Sequence, residues 1–175
     1  MSLLSPNSKG RQVSAIRITS KDLALIAAYA SLYAIMVYLF SPISFYALQF
    51  RIAGILRPGI ARKWTLAIGY AMGVAIGNFF SPFLGPLELG FMPLMALLAG
   101  ILGYLAAKPF KNGYFVAGAV IASIIAPSLS LMFYLMFNLS VLISLPYLFI
   151  SEQAVSFIGA YGFKIIERRF KWWSY

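Results

Sequence analysis

Between Tyr114 and Phe163 the chain carries no lysine or arginine and a single carboxylate, Glu152. A helix that crosses a bilayer takes about 20 apolar residues, so this run holds two crossings and a turn. The weak turn signal Asn138–Ser140 divides it into spans over 114–137 and 141–163, the second continuing as helix to about Arg169. Pro127 and Pro146 are expected to kink them. The rest of the chain has the same character. Of 175 residues, 62% are hydrophobic and 10% charged, with mean hydropathy +0.87. A soluble domain holds about 25% charged residues. Most of this surface must face lipid, and the length suits an all-α integral membrane protein of about six helices with short loops.

Residues 1–21 are polar, with Lys9, Arg11, Arg17 and Lys21, and read as an N-terminal arm. The first span is Asp22–Phe40, with Ser20 as its cap and Asp22 placed to suit the helix dipole. The second, about Tyr46–Ile60, is short, carries Gln49, Arg51 and Arg57, and breaks at Pro58-Gly59. The third is Trp64–Phe80 and the fourth Leu87–Ala107. The six helices fill a transmembrane domain over 22–169, followed by an interfacial tail, 170–175.

Charge placement gives the topology. Thirteen of the 14 Lys and Arg fall in four clusters, at 9–21, 57–63, 108–111 and 164–171. Nearly neutral loops, 41–47, 81–86 and 138–140, alternate with them. Six spans with both termini cytoplasmic put every cluster inside, as positive charge requires. Trp64, Trp172, Trp173 and Tyr175 lie beside these clusters, where interfacial anchors belong. The net charge of +10 therefore points to a multi-pass protein of the cell membrane with lipid as its partner, not to nucleic acid.

The chain has no cysteine and no histidine, which excludes thiolate nucleophiles, imidazole bases, structural zinc sites and haem-ligating histidines. Its four acids, Asp22, Glu88, Glu152 and Glu167, leave little for hydrolysis. No enzyme, metal site or cofactor is expected.

Small residues recur at intervals of four. In the third span Gly69, Gly73 and Gly77 accompany Ala67, Ala71 and Ala75, a pattern that lets helices approach closely in lipid. The first span pairs Ala24 with Ala28, Ala27 with Ser31, and Ala30 with Ala34. Spacing alone leaves that face open to internal packing or to a partner subunit.

Polar residues at depth mark the interior, because a charge at the bilayer centre costs at least about 2.5–3.5 kcal/mol. Arg51 is the one basic residue outside the clusters. Gln49, Arg51, Asn78 and Glu88 fall towards the outer half, and Glu152 and Gln153 at mid-depth. Two readings stand: a structural ion pair, Arg51 with Glu88, or a polar pocket open to the outside and walled by aromatic rings. Asn138 at the outer turn is a further polar candidate.

The run PISFYALQFRIAGIL, residues 42–56, and the run GNFFSPFLGPLELGF, residues 77–91, followed by MALLAGILGYLAA, resemble the QueT family, the queuosine-precursor substrate-binding subunits of energy-coupling-factor (ECF) transporters. The matching letters are Gln49, Phe50, Arg51, Ile52, Asn78, Leu84, Gly85, Pro86, Leu87 and Glu88. The family continues Arg-Ile-Ser-Glu-Ala-Leu; here Ala53 and Gly54 replace the Ser and the Glu. The resemblance implies a six-helix S-component that captures a queuosine precursor or similar deazapurine at the outer face. Tyr46, Gln49, Arg51, Asn78 and Glu88 would hold the substrate. Ala27, Ala30, Ser31 and Ala34 would dock onto a transmembrane coupling subunit driven by separate ATPase subunits. The chain has no phosphate-binding Gly-xxxx-Gly-Lys-Ser/Thr loop of its own. A structural subunit of a larger membrane complex is the alternative, and ligand binding by the purified chain discriminates the two.

Overall fold

The computed structural model describes residues 18–45 and 50–173. Most of the N-terminal arm, Tyr46 and Gln49, and the last two residues lie outside the described residues.

The described residues are helical throughout, without strands. Helix α1 is Ser20–Leu39, and a short α2, Ser41–Phe45, follows at its C-terminal end. Next come a 3-10 helix, Ile52–Arg62, and α3, Leu66–Asn78. A π-helical turn, Leu87–Phe91, leads into α4, Met92–Ala107. The last two are α5, Gly113–Phe137, and α6, Val141–Arg169. Both α5 and α6 continue through Pro127 and Pro146, and Asn138 ends α5 in the left-handed conformation, φ 54°. The segments Ser20–Leu39, Leu87–Ala107, Gly113–Phe137 and Val141–Arg169 are long and apolar enough to cross a membrane; Leu66–Asn78 is shorter. Large apolar side chains such as Leu32, Ile35, Leu98, Leu102, Leu142 and Ile150 are exposed around the outside. So much bare apolar surface is stable only in lipid.

The start of α1 is capped one residue before the expected position. Thr19 Oγ1 accepts from Asp22 N at 3.2 Å, and Asp22 Oδ2 accepts from Thr19 N at 2.8 Å, a reciprocal capping box. The other Asp22 oxygen holds Lys63 Nζ at 2.6 Å, which ties α1 to the end of the 3-10 helix.

The second segment differs most from expectation. It is 3-10 rather than α over 11 residues, a long run for that geometry. Pro58 removes a backbone donor, and Gly54 and Gly59 weaken α propensity. A 3-10 helix rises about 2.0 Å per residue against about 1.5 Å for an α-helix, so few residues reach far. None of its residues is exposed. It packs against α5 and α6, and on its other sides against α4 and α1.

Glycines set these contacts. A Cβ on Gly69, Gly73 or Gly77 would meet Ile26 O at 2.8 Å, Tyr33 Cβ at 2.8 Å or Val37 Cβ at 2.9 Å, so the small face of α3 is filled by α1. A Cβ on Gly159 of α6 would overlap the carbonyl oxygen of Ile55, and one on Gly59 would lie 2.7 Å from Phe163 Cζ. The five long helices thus follow one another in contact, α1 on α3, α3 on α4, α4 on α5 and α5 on α6, around the 3-10 helix.

Candidate functional site

The end of the 3-10 helix that starts at Arg51 lies beside α2 and the interior. Arg51 is its N-cap and is 2% exposed. Its guanidinium carbon lies 5.7 Å from the Phe45 ring centre, and its Nε and Nη2 have no hydrogen-bond partner. Phe45 belongs to the same core as Met92 and the partly buried Leu87 and Phe91.

Those last two residues flank Glu88, which is 1% exposed on the π-helical turn. The turn forms because Met92 N bonds back to Leu87 O, five residues earlier, and Pro93 has no N–H with which to restore an α pattern. Asn78 Nδ2 donates to the backbone oxygen of Glu88 at 2.7 Å, which locks the turn to the end of α3. Asn78 Oδ1 and Glu88 Oε2 remain without partners. Among the described residues no ion pair joins Arg51 to Glu88, so the reading of these two as a simple structural pair does not hold. The interior instead presents unused donors on Arg51 and unused acceptors on Asn78 and Glu88. Ser44 Oγ and Tyr33 Oη are buried and unpaired as well.

Further along the 3-10 helix, Arg57 is fully buried and its Nη1 is bonded to Glu152 Oε2 of α6. Arg57 lies over the Tyr70 ring at 5.7 Å, and Tyr70 meets Tyr33 edge-on at 5.2 Å. Tyr70 is within electrostatic reach of Arg51, Arg57, Glu152 and Tyr33 together. The sequence marks Glu152 as a polar candidate at mid-depth but does not pair it with Arg57, which it places at the inner end of the second span. The structure pairs it instead with Glu152 in the apolar interior.

The other candidates lie elsewhere. Gln153 faces α5, where Nε2 donates to Ser123 Oγ at 3.0 Å and Ala119 O at 3.2 Å. Asn138 is exposed at the α5–α6 turn. On α1, Ala30 is 3% and Ala34 6% exposed, and Ala30 O lies against Gly73 of α3. Ala27 and Ser31 are exposed, as are Ala24 and Ala28.

The end of the bundle that holds Arg62 and Glu167 is tied by polar contacts of another kind. Arg62 pairs with Glu167 at 2.6 Å, donates to Lys111 O at 3.1 Å, and lies over Tyr114 at 4.7 Å and Trp173 at 5.1 Å. Arg62 and Glu167 are partly exposed, whereas Arg51, Asn78, Glu88, Arg57 and Glu152 are buried.

Long apolar helices around a buried, incompletely satisfied polar interior are the build of a multi-pass membrane protein. The profile of the QueT transporter family matches residues 23–168, and the chain belongs to that family. It is a membrane transport protein of the S-component type. No curated protein and no solved structure matches it.

Proposed function

We propose that this chain is the substrate-binding subunit of an ECF-type importer for a queuosine precursor or similar deazapurine. One observation carries the reading: the buried Arg51 guanidinium has two free donors, while Asn78 and Glu88 keep free acceptors. An unpaired polar group in such an interior is costly, and a charged one more so. A guanine-like ring answers both needs. Its carbonyl accepts from Arg51, its N–H pair donates to the Glu88 carboxylate, and its faces stack on a ring such as Phe45. Tyr46 and Gln49 belong to the same proposed pocket by sequence. A ligand lacking either polar edge would leave buried groups unpaired, which is a strong source of selectivity.

The test is a double replacement. Arg51→Met with Glu88→Leu removes both charges, so the purified protein should still fold, while affinity for 7-deazaguanine measured by calorimetry should fall at least about 100-fold. A folded double variant that binds as tightly as the parent would exclude this site.

Within this reading the 3-10 helix and α3 complete six crossings, with both termini cytoplasmic. Reporter fusions after Lys111 and at the C-terminus should both signal cytoplasm; an outside signal at the C-terminus breaks the six-crossing topology.

Docking to a coupling subunit falls to the exposed side of α1. Ala27 and Ser31, with Ala24 and Ala28, offer small side chains at that surface, whereas Ala30 and Ala34 are buried. Ala27→Trp should therefore abolish ATP-driven uptake and leave ligand binding intact. Normal uptake by a folded Ala27→Trp variant would remove this face from consideration.

A further inference from the structure

A groove of about 420 Å³ runs along α1, lined by Lys21, Ala24, Leu25, Ala28 and Trp172. The four α1 residues recur at intervals of three and four, so they share one helix face. Lys21, Ala24 and Ala28 are exposed, and Leu25 is half-buried. The alanines project only methyl groups, which gives the groove its depth. Trp172 forms the far wall. After α6 a tight turn, with Trp172 N donating to Phe170 O at 3.0 Å, brings the indole onto Phe163, ring centres 5.6 Å apart. The wall is thus held by α6 while the floor belongs to α1.

One end of this groove holds a cation without a counter-charge. Three of the chain's four acidic side chains are already paired: Asp22 with Lys63, Glu152 with Arg57 and Glu167 with Arg62. The fourth, Glu88, is buried on the turn ahead of α4. Asp22 is next to Lys21 in sequence, but Lys63 holds one of its oxygens and Thr19 N the other. No acidic side chain is left to answer Lys21, so its anion must come from outside. Beyond Lys21 the lining is two methyl groups, a leucine and an indole, which offer a free anion little to hold. A phospholipid anion answers both ends of the groove. Its phosphate meets the ammonium, and its acyl chain follows α1 from Lys21 past Ala28, about 10 Å along the helix and away from the interface. Tryptophan belongs at that headgroup level, and a lysine near the surface attracts anionic lipid.

We propose that this groove binds one anionic phospholipid, with its phosphate on Lys21 and an acyl chain laid along Ala24 and Ala28 against Trp172. The assignment concerns the chain before it docks to any partner, and it is independent of the substrate proposed above.

The test is native mass spectrometry of the purified full-length chain, equilibrated in detergent with phosphatidylglycerol or phosphatidylcholine of identical acyl chains. One phosphatidylglycerol per chain should be retained, at least about fivefold more strongly than phosphatidylcholine. Lys21→Gln should remove that preference. Lys108→Gln changes the net charge by the same amount outside the groove and should keep it. Ala24→Trp fills the groove and should reduce retention of both lipids. Lys21 and Ala24 are exposed, and thermal unfolding establishes that the variants are folded. Equal retention of the two lipids by the native chain, or the same loss in Lys21→Gln and Lys108→Gln, overturns the site. Displacement of the lipid by inorganic phosphate would show a free-anion site instead. A lipid-free dimer that Ala24→Trp separates would give the groove to a second copy of the chain. Either of these results also overturns the proposal.

Discussion

Gly159→Ala should lose most of the folded protein, whereas Gly162→Ala, one turn further along the same helix, should retain it. The two positions are alike in sequence, each a glycine in the apolar second half of α6. They differ in what a methyl group would meet. At Gly159 it would overlap the backbone oxygen of Ile55 in the 3-10 helix; at Gly162 nothing lies within 4 Å. A backbone carbonyl cannot rotate aside as a side chain can, so α6 and the 3-10 helix would have to separate. Overpacking of a well-filled interior costs about 1–3 kcal/mol, and backbone overlap stands at the upper end or beyond. Separation would also strain the Arg57–Glu152 pair, which bridges the same two elements. The control has the opposite sign, because replacing a mid-helix glycine with alanine gains about 0.5–1 kcal/mol where space allows. Thermal unfolding and monodisperse yield in detergent check both. Equal stability of the two variants would contradict the close contact at Gly159.

The second large effect belongs to the Arg57–Glu152 pair. Glu152→Leu alone leaves a guanidinium in an apolar interior with no counter-charge, and breaking a buried pair from one side costs about 3–5 kcal/mol. Adding Arg57→Met removes the stranded charge, so the double variant should recover most of the lost stability. The pair thus behaves as a mutual dependence and contributes little net stabilisation over an apolar replacement. Unfolding temperatures of the two singles and the double form a closed cycle, and an additive result would show that the groups do not interact.

How far the sequence revealed all this depends on the kind of information involved. Length, apolar runs and turn residues locate α1, α4, α5 and α6 closely, and Asn138 falls where α5 ends, because lipid demands continuous apolar helices. The 3-10 segment was not legible, because composition reports which residues are apolar but not the rise per residue. That geometry decides the site. In an α-helix, residues six apart point about 240° away from each other; in a 3-10 helix they complete two turns and coincide. The sequence therefore groups Arg57 with the basic cluster at the inner end of the second span, whereas the structure pairs it with Glu152. The α1 face shows a second limit. Ala27 and Ala30 are the same residue in the same apolar context, and only the opposing Gly73 determines which of them is covered. Arg51 and Glu88, by contrast, stand out in the sequence as charges where lipid tolerates none. The π-helical turn that carries Glu88 is specified by no letter pattern.

The enclosure of the 3-10 helix also bears on how the chain is assembled. This short segment carries Arg57 at its centre and Arg62 at its end, with Arg51 as its N-cap, and none of its residues is exposed. Left alone in a bilayer it would be poorly held, since its charges would lack partners. Those partners are synthesised later: Glu152 follows Arg57 by 95 residues, and Glu167 follows Arg62 by 105. The segment emerges early but can settle only when the last helix arrives. Its final membrane position is therefore a late event of biogenesis, fixed by the far end of the chain.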